Sequence, residues 1–305
     1  MYDIIVIGAG PAGLTAAIYG CRADKSVLVL EKETFGGQIT YSPRVENYPG
    51  FNVMSGNEFA EKLIDQVMEQ GAEIELETVT GITGKAGDFT VLCEGKSYSA
   101  KTVIIATGSK HRQLGIDREN DFIGEGVSYC AVCDGAFYKG KTVAVIGGGN
   151  TALQEAIALS DGCSKVYVVQ NLDFLTGEER LQKDIAEKEN ISVILGAVVK
   201  ELLGEKSMNG IKIENNKGEQ SVIDLAGIFV AIGQKPENEP FKSVVNLNEF
   251  GYITAGEDCV PAGADSGIFV AGDCRTKGVR QVTTATGDGA VAALAACRLI
   301  DQMKI

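Results

Sequence analysis

The stretch YDIIVIGAGPAGLTAAIYG, residues 2–20, decides the fold. It starts as a run of apolar, β-branched residues, passes through a turn with Gly8, Gly10 and Gly13, and continues as a helical pattern of small apolar residues. This order is typical of the strand, turn and helix that open a dinucleotide-binding βαβ unit. The glycines there let backbone N–H groups approach a pyrophosphate at the helix N-terminus.

A second copy of this pattern occurs in KTVAVIGGGNTALQEAIAL, residues 141–159, with Gly147, Gly149 and Ala152 at the same spacing. One such turn also arises where a helix merely packs on a strand, but two copies in the correct context favour two nucleotide-binding folds. A β-rich stretch ending in an apolar strand follows each copy. The sequence therefore predicts an α/β protein with two Rossmann-like, three-layer ββα domains, the second inserted into the first.

The segment after the second β-rich stretch returns to the first domain in this interpretation. SGIFVAGDCRTKGVRQVTTATGDGAVAALAACRLI, residues 266–300, predicts a strand, a turn carrying Asp273 and an alanine-rich helix. We expect the first domain to comprise residues 1–112 and 245–305 and the second to comprise residues 116–241. The linkers would lie near residues 109–118 and 234–246, where proline, glycine and charge collect.

The two units differ at the residue that recognises a ribose, which is expected at the end of the second strand. In the first unit this residue is Glu31, whose carboxylate would accept both ribose hydroxyls. At the same distance from the second glycine turn the chain has Gln170, followed by Asn171 and Leu172. The second unit therefore has neither an acid for an unphosphorylated ribose nor a nearby arginine for a 2′-phosphate.

Composition and charge exclude several classes of function. A formal net charge of −13 argues against a nucleic-acid partner, which requires a basic surface. Every long apolar stretch is interrupted by glycine or charge and no basic leader precedes the first strand, so we expect a cytoplasmic protein that does not enter a membrane. In a reducing cytosol the eight cysteines are unsuited to a structural disulfide framework.

A close cysteine pair lies in SYCAVCDGAFYKG, residues 128–140, where Asp134 directly follows Cys130 and Cys133. Such a pair can be a disulfide staple, half of a zinc site or a redox centre. The expected compartment disfavours a staple, and a zinc site requires a second pair of ligands. Cys259 and Cys274 are far apart in the sequence and belong to the other domain, so a redox centre is favoured.

The other cysteines and the single histidine carry weaker signals. Four cysteines lie in helical or strand patterns and are expected to be small buried side chains: Cys21, Cys93, Cys163 and Cys297. Cys274 is expected to pack in the core, although its place after Asp273 also allows an approach to a cofactor. His111 is expected to be a linker residue, and with one histidine the chain has no histidine-based triad or cluster.

The succession of motifs resembles the small flavin-dependent thioredoxin reductases over nearly the whole chain. It consists of GAGPAG, GGQITYSPRVENYPG, ATG, CAVCDG, GGGNTA and AGD followed by RQV. The combination of CxxCD in the second domain with GD and RQ near the C-terminus is specific to that family. The resemblance implies bound FAD, held by Gly8, Gly10, Ala12, Gly13, Glu31, Gly37, Gln38, Asn47, Val79, Thr107, Gly108, Asp273, Arg280, Gln281 and Val282.

The resemblance also implies roles for individual residues. In such proteins Asp273 contacts the ribityl chain of the flavin, and Gln281 and Val282 lie near the isoalloxazine ring.

For the cysteine pair, the resemblance places Cys133 facing flavin C4a and makes Cys130 the thiol that attacks the disulfide of thioredoxin. Asp134 resembles the acid and base of the family. A reduced flavin carries two electrons and a disulfide accepts two, so the pair can be reduced and then exchanged outward.

The chain departs from family members that use NADPH, which carry a His-Arg-Arg run at the end of the second strand and another arginine shortly after it. This chain has Gln170, Asn171 and Leu172, and then Thr176. Losing several charge-assisted hydrogen bonds, each about 1.5–3 kcal/mol, would weaken NADPH binding by orders of magnitude. NADH is only slightly better placed, because Gln170 and Asn171 offer neutral hydrogen bonds to a ribose.

This departure resembles the ferredoxin-dependent flavin thioredoxin reductases, which take electrons from an iron–sulfur protein. Ferredoxins are usually acidic, so the net charge opposes long-range steering. A local basic surface, expected near the flavin, would compensate; its members are Lys110, Arg112, Arg275, Lys277 and Arg280. The resemblance further implies a homodimer.

Three alternatives remain open at this point. The protein can be an NAD(P)H-dependent thioredoxin reductase, an FAD-dependent dithiol oxidase that passes electrons to oxygen, or a non-catalytic redox sensor that has kept its flavin. Flavin reduction by dithiols with rapid reoxidation in air would favour the oxidase. Failure to reduce thioredoxin with any donor would favour the sensor.

Overall fold

The computed structural model describes residues 1–42, 45–264 and 266–303 and divides into two compact units. The first unit comprises Met1–Lys110 and Lys235–Ile305, and the second comprises His111–Gln234. The second unit thus interrupts the first. Residues 235–241, which we expected in the second domain, lie in the first unit because Phe241 is buried in one of its cores.

The secondary structure follows the predicted alternation. In chain order the strands are β1 (Tyr2–Ile7), β2 (Val27–Glu31), β3 (Glu73–Leu76), β4 (Val79–Lys85), β5 (Asp88–Cys93), β6 (Ser97–Ile105), β7 (Ser109–His111), β8 (Val127–Ser128), β9 (Thr142–Ile146), β10 (Lys165–Val169), β11 (Ile191–Ile194), β12 (Ala197–Gly204), β13 (Met208–Asn215), β14 (Gln220–Asp224), β15 (Gly227–Val230), β16 (Gln234–Pro236) and β17 (Ile268–Val270). The α-helices are α1 (Pro11–Arg22), α2 (Gly56–Glu69), α3 (Ala131–Asp134), α4 (Asn150–Ser160), α5 (Glu179–Ala186) and α6 (Val282–Gln302).

The first unit is built on a sheet whose strand order is β3-β2-β1-β6, with β17 beside the second half of β6. These strands are parallel, and β5 and β4 extend the first half of β6 as an antiparallel meander. Alternate residues of β1 enter different cores, as the two-residue period of a strand requires. Ile4 and Val6 pack with α1 and α6, whereas Ile5 and Ile7 pack with residues of β4, β5 and β6.

The second unit repeats this plan with the order β11-β10-β9-β15-β8, in which all pairs are parallel. A separate antiparallel sheet, β12-β13-β14, takes the place of the meander. Val143 and Val145 of β9 pack with α4, whereas Ala144 and Ile146 face the core of the antiparallel sheet. The two units therefore share the order of four parallel strands, whereas the fifth strand comes from the C-terminal part of the chain in the first unit (β17) and precedes β9 in the second (β8). The predicted fold class is confirmed.

Small residues allow the helices of the first unit to approach closely. A Cβ atom on Gly289 of α6 would lie 2.2 Å from the carbonyl oxygen of Ala12 in α1, so only glycine fits there. This contact explains the alanine-rich composition of the last helix, because larger side chains would separate α6 from α1.

The free cysteines follow the prediction in part. Cys297 is buried in α6, whereas Cys21 and Cys93 are only half-buried. Cys163 is buried, but it lies in the loop between α4 and β10 and not in a helix or strand as predicted. Cys274 is fully buried, with its Sγ near the carbonyl oxygens of Ile105 and Ala271. No helix in the described residues has the length and apolarity to cross a membrane.

Candidate active site

The first glycine turn lies where β1 ends and α1 begins. Gly8 has φ = 108°, and a Cβ there would lie 2.4 Å from the carbonyl oxygen of Ala106 at the end of β6. A Cβ on Gly13 would lie 1.9 Å from the carbonyl oxygen of Gly8. Gly10 differs, because no described atom lies within 4 Å of a Cβ at that position. Gly8 and Gly13 are thus required by packing, while Gly10 leaves bare backbone facing open space.

Glu31 ends β2 and holds its carboxylate beside this turn. Its Oε2 accepts a hydrogen bond from the backbone N–H of Ala9 at 2.8 Å, and its Oε1 accepts from Lys32 and Glu33 at 2.9 Å each. The backbone N–H of Glu77 donates to the carbonyl oxygen of Glu31 at 2.7 Å, which places the start of β4, where Val79 lies, close to the same edge. Val79 itself is buried in the core.

A short 3₁₀ turn, Gly37–Tyr41, packs against the glycine turn. The N–H of Gly36 donates to the carbonyl oxygen of Ala9 at 2.8 Å, and a Cβ on Gly37 would lie 3.0 Å from the Cα of Gly10. The side-chain amide of Gln38 donates to the carbonyl oxygen of Ser109. Residues that are distant in sequence therefore meet above the start of α1.

The start of α6 brings two more predicted residues together. The Asn47 side-chain amide donates to Gln281 Oε1 at 3.1 Å, and Gln281 is the N-cap of α6, directly before Val282. Thr107 follows β6 with Gly108, and its hydroxyl donates to the side-chain oxygen of Asn238 at 3.0 Å. These contacts all lie within the first unit.

Asp273 lies in a 3₁₀ turn, Gly272–Cys274, that follows β17. Its Oδ1 is buried without a hydrogen-bond partner in the described part of the chain, and the same holds for Arg280 Nε. Burial raises the pKa of Asp273, an effect that the charge of Lys277 opposes. Because a buried polar atom without a partner is costly, these atoms fit a site that is completed by a polar ligand.

The prediction of a basic docking surface is wrong for two of its five residues. Arg275 and Lys277 are buried and both bind the carboxylate of Asp288 in α6, at 2.7 Å and 2.9 Å. Their side chains are only 8% and 7% exposed, so they cannot present charge to a partner. This pairing could not be predicted from local sequence, because the carboxylate that binds both cations lies on the following helix.

The other three members of that surface have different environments. Lys110 forms ion pairs with Glu33 at 2.5 Å and with Glu237 at 3.6 Å. The guanidinium of Arg280 lies over the ring of Tyr252, 4.5 Å from its centroid. Arg112 is exposed and belongs to the second unit.

The cysteine pair lies in the second unit, with Cys130 between β8 and α3 and Cys133 within α3. Cys130 and Cys133 form a disulfide with Cα atoms 5.3 Å apart. Cys130 is the N-cap of α3, and its Sγ accepts a hydrogen bond from the N–H of Cys133 at 3.2 Å. Val132, the side chain between them on the outer surface, is 65% exposed. The pair thus lies at the carboxyl edge of the sheet, where parallel α/β folds place their reactive groups.

Asp134 ends α3 and is tied to the disulfide through Ser128. The Ser128 hydroxyl donates to Asp134 Oδ2 at 2.6 Å and accepts from the N–H of Cys130 at 3.1 Å. Asp134 Oδ1 is buried and has no hydrogen-bond partner among the described residues. Burial raises the pKa of Asp134, and the Ser128 hydrogen bond opposes this rise. The carboxyl can therefore hold a proton at a higher pH than an exposed aspartate does.

Two polar residues beside the pair were not predicted. One is Ser128, whose hydroxyl accepts a hydrogen bond from the Cys130 N–H. The one feature of the sequence that could have indicated it is its place two residues before Cys130. Glu155 of α4 accepts a hydrogen bond from the N–H of Ala131 at 3.5 Å. Its signal is stronger, because it falls in the helical stripe with the buried residues Ala152 and Leu159, where a charged side chain is unexpected.

His111 has a defined environment within the second unit. Its ring lies 5.3 Å from the ring of Tyr129, and its Nδ1 is 3.4 Å from the side-chain amide of Gln234. Burial lowers the pKa of His111 to about 4, so the ring is neutral at physiological pH. Among the described residues, no three His, Cys, Asp or Glu side chains gather as a metal site.

The second glycine turn copies the backbone of the first. Gly147 has φ = 135°, and a Cβ there would lie 2.5 Å from the carbonyl oxygen of Ala231. The side chain of Gln170 lies against Gly148, where a Cβ would be 2.6 Å from its amide. The loop that follows β10 presents no lysine or arginine between residues 170 and 178, whereas it carries Asp173 and Glu178.

Comparisons with known proteins agree with this architecture. Residues 2–289 match the family model of pyridine nucleotide-disulphide oxidoreductases. The chain is 39% identical to the thioredoxin reductase of Bacillus subtilis, covering 100% of this chain and 96% of that protein. It is 40% identical to the "34.2 kDa protein in rubredoxin operon" of Clostridium pasteurianum, over 98% and 97% of the two chains.

A solved structure is equally similar. The crystal structure of thioredoxin reductase from Streptococcus pyogenes superposes with a TM-score of 0.94 at 38% identity and covers 99% of both chains.

Proposed function

This chain belongs to the pyridine nucleotide-disulphide oxidoreductases, among the low-molecular-weight thioredoxin reductases, and from this premise we propose that it reduces the disulfide of thioredoxin through FAD and the Cys130–Cys133 pair. The observation that carries the proposal is the disulfide at the carboxyl edge of the second sheet, with the buried carboxyl of Asp134 linked to it by Ser128. An inert staple has no need of a buried carboxyl beside it.

The first unit would hold the cofactor. Bare backbone at Gly10, the oriented carboxylate of Glu31 and the unpartnered atoms of Asp273 and Arg280 fit a bound dinucleotide. We propose that the site consists of Gly8, Gly10, Ala12, Gly13, Glu31, Gly37, Gln38, Asn47, Val79, Thr107, Gly108, Asp273, Arg280, Gln281 and Val282. When bound, FAD would supply two electrons to the disulfide.

The residues of the second unit would do the remaining chemistry. Two electrons break the S–S bond, and the Cys130 thiolate then attacks the thioredoxin disulfide to form a mixed disulfide. The Cys133 thiolate attacks that bond, which restores the Cys130–Cys133 disulfide and releases reduced thioredoxin. Asp134 holds and returns the proton that these steps require, with Ser128 orienting its Oδ2. The exposed Val132 offers an apolar contact to the protein substrate.

We propose reduced ferredoxin as the electron donor. The support is the loop after β10, where Gln170, Asn171, Leu172 and Thr176 replace the cations that bind a 2′-phosphate. Glu178 adds negative charge close to the glycine turn, since its carboxylate accepts a hydrogen bond from Asn150 at 2.9 Å. Both features disfavour a phosphorylated nucleotide. The buried Arg275 and Lys277 lend the donor proposal no support.

An anaerobic titration of the bound flavin with NADPH, NADH and reduced ferredoxin in parallel tests the donor. We expect the flavin absorbance to bleach with ferredoxin and to persist with stoichiometric NADPH or NADH. Bleaching at stoichiometric NADPH would contradict the ferredoxin proposal but not the proposal that the protein reduces thioredoxin. Bleaching by dithiols followed by rapid reoxidation in air would indicate a dithiol oxidase instead.

A cysteine substitution tests the role of the pair. Cys133→Ser should leave the flavin reducible while thioredoxin reduction stops, because the mixed disulfide cannot be resolved. Cys163→Ser, at a buried cysteine in the same unit, is the matched control and should retain activity. Thioredoxin reduction by Cys133→Ser at the wild-type rate would overturn the assignment. Failure of the wild-type protein with every donor would indicate a redox sensor.

The remaining parts of the proposal concern assembly and location. We propose a homodimer in the cytoplasm, with sedimentation equilibrium as the test of the oligomeric state.

A further inference from the structure

A second buried carboxyl lies beside the redox pair, and the mechanism above does not use it. Glu155 projects from α4 toward α3, and its Oε1 accepts a hydrogen bond from the N–H of Ala131, the residue bonded directly to Cys130. Its Oε2 is buried and has no hydrogen-bond partner among the described residues. An ionised carboxylate in this position is costly, because burial penalises the charged form.

Among the described residues, no cation offsets the burial of this carboxyl. Burial raises the pKa of Glu155 to about 7, and the Ala131 N–H is the one opposing influence. The titratable and charged groups on the elements packed against α4, and on the 3₁₀ turn after α3, are Asp134, Tyr138, Lys165, Tyr167, Glu179, Arg180, Lys183 and Asp184. β9 and β11 carry none.

We propose that Glu155 binds a proton from solvent when the Cys130–Cys133 disulfide is reduced and releases it when the disulfide forms again. Glu155 is then a positioning residue for the pair, since it acts through the Ala131 N–H and through its charge. The inference rests on the proposed redox role of the pair. It does not depend on which donor supplies the electrons.

The step balances in electrons and protons. Two electrons from the reductant break the S–S bond, one sulfur takes a proton and becomes a thiol, and the other remains a thiolate. The new negative charge raises the proton affinity of the neighbouring buried carboxylate, because like charges disfavour each other at short range. Glu155 therefore takes up one further proton from solvent, so that two electrons and two protons enter together. Reoxidation reverses each transfer.

The test compares wild-type holoenzyme with Glu155→Gln, which keeps an acceptor for the Ala131 N–H but cannot ionise. Each protein is equilibrated with dithiothreitol or glutathione buffers across the pH range. The reduced fraction of the pair is then measured by differential alkylation and mass spectrometry of the peptide that contains both cysteines. Asp161→Asn, which removes an exposed carboxyl at the end of the same helix, is the matched control.

Below about pH 6 Glu155 is neutral, so wild-type and Glu155→Gln should give equal equilibrium constants for reduction. Well above the pKa of Glu155 the wild-type disulfide should be harder to reduce than that of Glu155→Gln, by about tenfold or about 30 mV. Asp161→Asn should follow the wild-type curve. Equal equilibrium constants for wild-type and Glu155→Gln at every pH would overturn the proposal. A pH effect that is lost in Asp134→Asn but retained in Glu155→Gln would also overturn it.

Infrared difference spectroscopy gives a second measurement. Reduction of the pair near neutral pH should produce a new band of a protonated carboxyl group in wild-type that is missing in Glu155→Gln, and absence of the band from wild-type or its persistence in the variant would overturn the proposal. Neither measurement involves thioredoxin. A failure to reduce thioredoxin would therefore contradict the proposed function without affecting this inference.

Discussion

At the scale of single residues, Asp288 holds the turn that carries Asp273. Its Oδ2 accepts hydrogen bonds from the Gly272 N–H at 3.0 Å and from Lys277 at 2.9 Å, and its Oδ1 accepts from Arg275 at 2.7 Å. The two cations are almost completely buried, and Asp288 forms an ion pair with each of them. Removing one partner of such a group leaves uncompensated buried charge, which is strongly destabilising.

We predict that Asp288→Asn lowers the free energy of unfolding by about 3–5 kcal/mol. Urea unfolding followed by circular dichroism measures this. The control is Asp161→Asn, which breaks the exposed ion pair with Lys188 and should cost less than about 1 kcal/mol. Equal losses in the two variants would show that the buried cluster contributes no more than a surface pair.

The same residue predicts a pH dependence. Burial raises the pKa of Asp288, but Arg275 and Lys277 outweigh burial and leave the pKa below its ordinary value. Its folded-state pKa is thus lower than its unfolded-state pKa, which is about 4. The stabilisation is therefore complete above about pH 4 and is lost as the pH falls through the folded-state pKa. The stability difference between wild-type and Asp288→Asn should shrink over that acidic range in unfolding experiments, and a constant difference would contradict this.

At the scale of elements, the two glycine turns have nearly the same backbone, yet we propose that only the first binds a dinucleotide. Gly10→Ala places a methyl group in space that no described atom of the chain occupies, whereas Gly149→Ala places one 3.7 Å from Thr176 Oγ1. Both variants should fold, because neither position has a left-handed φ. The two substitutions therefore form a matched pair.

We predict that Gly10→Ala lowers the ratio of bound flavin to protein at least about tenfold, because the methyl group occupies the path of the pyrophosphate. Gly149→Ala should retain the wild-type ratio. Absorbance of the purified proteins measures both ratios. A wild-type flavin content in Gly10→Ala, or an equal loss in both variants, would contradict the assignment of the first turn to FAD.

At the scale of the whole molecule, the second unit is one continuous segment with its own cores. One core contains Phe122 and Met208 with the antiparallel sheet, and the other contains Leu153 and Phe229 with α4. A continuous segment of this size with separate cores is expected to fold alone.

We predict that a fragment of residues 111–234 unfolds in a single cooperative transition with urea and gives a dispersed NMR spectrum. The fragment should also form the Cys130–Cys133 disulfide, since every residue that orients the pair lies within it. A fragment that lacks cooperative unfolding would show that this unit depends on the rest of the chain.

Much of this architecture was predictable because it depends on patterns of residues that are close in sequence. The glycine turns, the alternation of strand residues and the cysteine spacing involve residues that are close in sequence, and the two copies at equal spacing predicted the fold class. The exposure of charged residues was not predictable in this way. The sequence predicted Arg275 and Lys277 at the surface, but in the structure both side chains are buried and bind Asp288 of α6.

The sequence by itself determined the two related folds, the cysteine pair and the missing cations after β10, because each depends on the identity and spacing of neighbouring residues. Only the tertiary structure decided which carboxyl groups are buried. Glu155 lies on α4 and reaches the redox pair through its hydrogen bond with the Ala131 N–H, and Asp134 Oδ1 is buried. Burial and charge pairing depend on contacts between distant parts of the chain, and the packing of the elements creates those contacts.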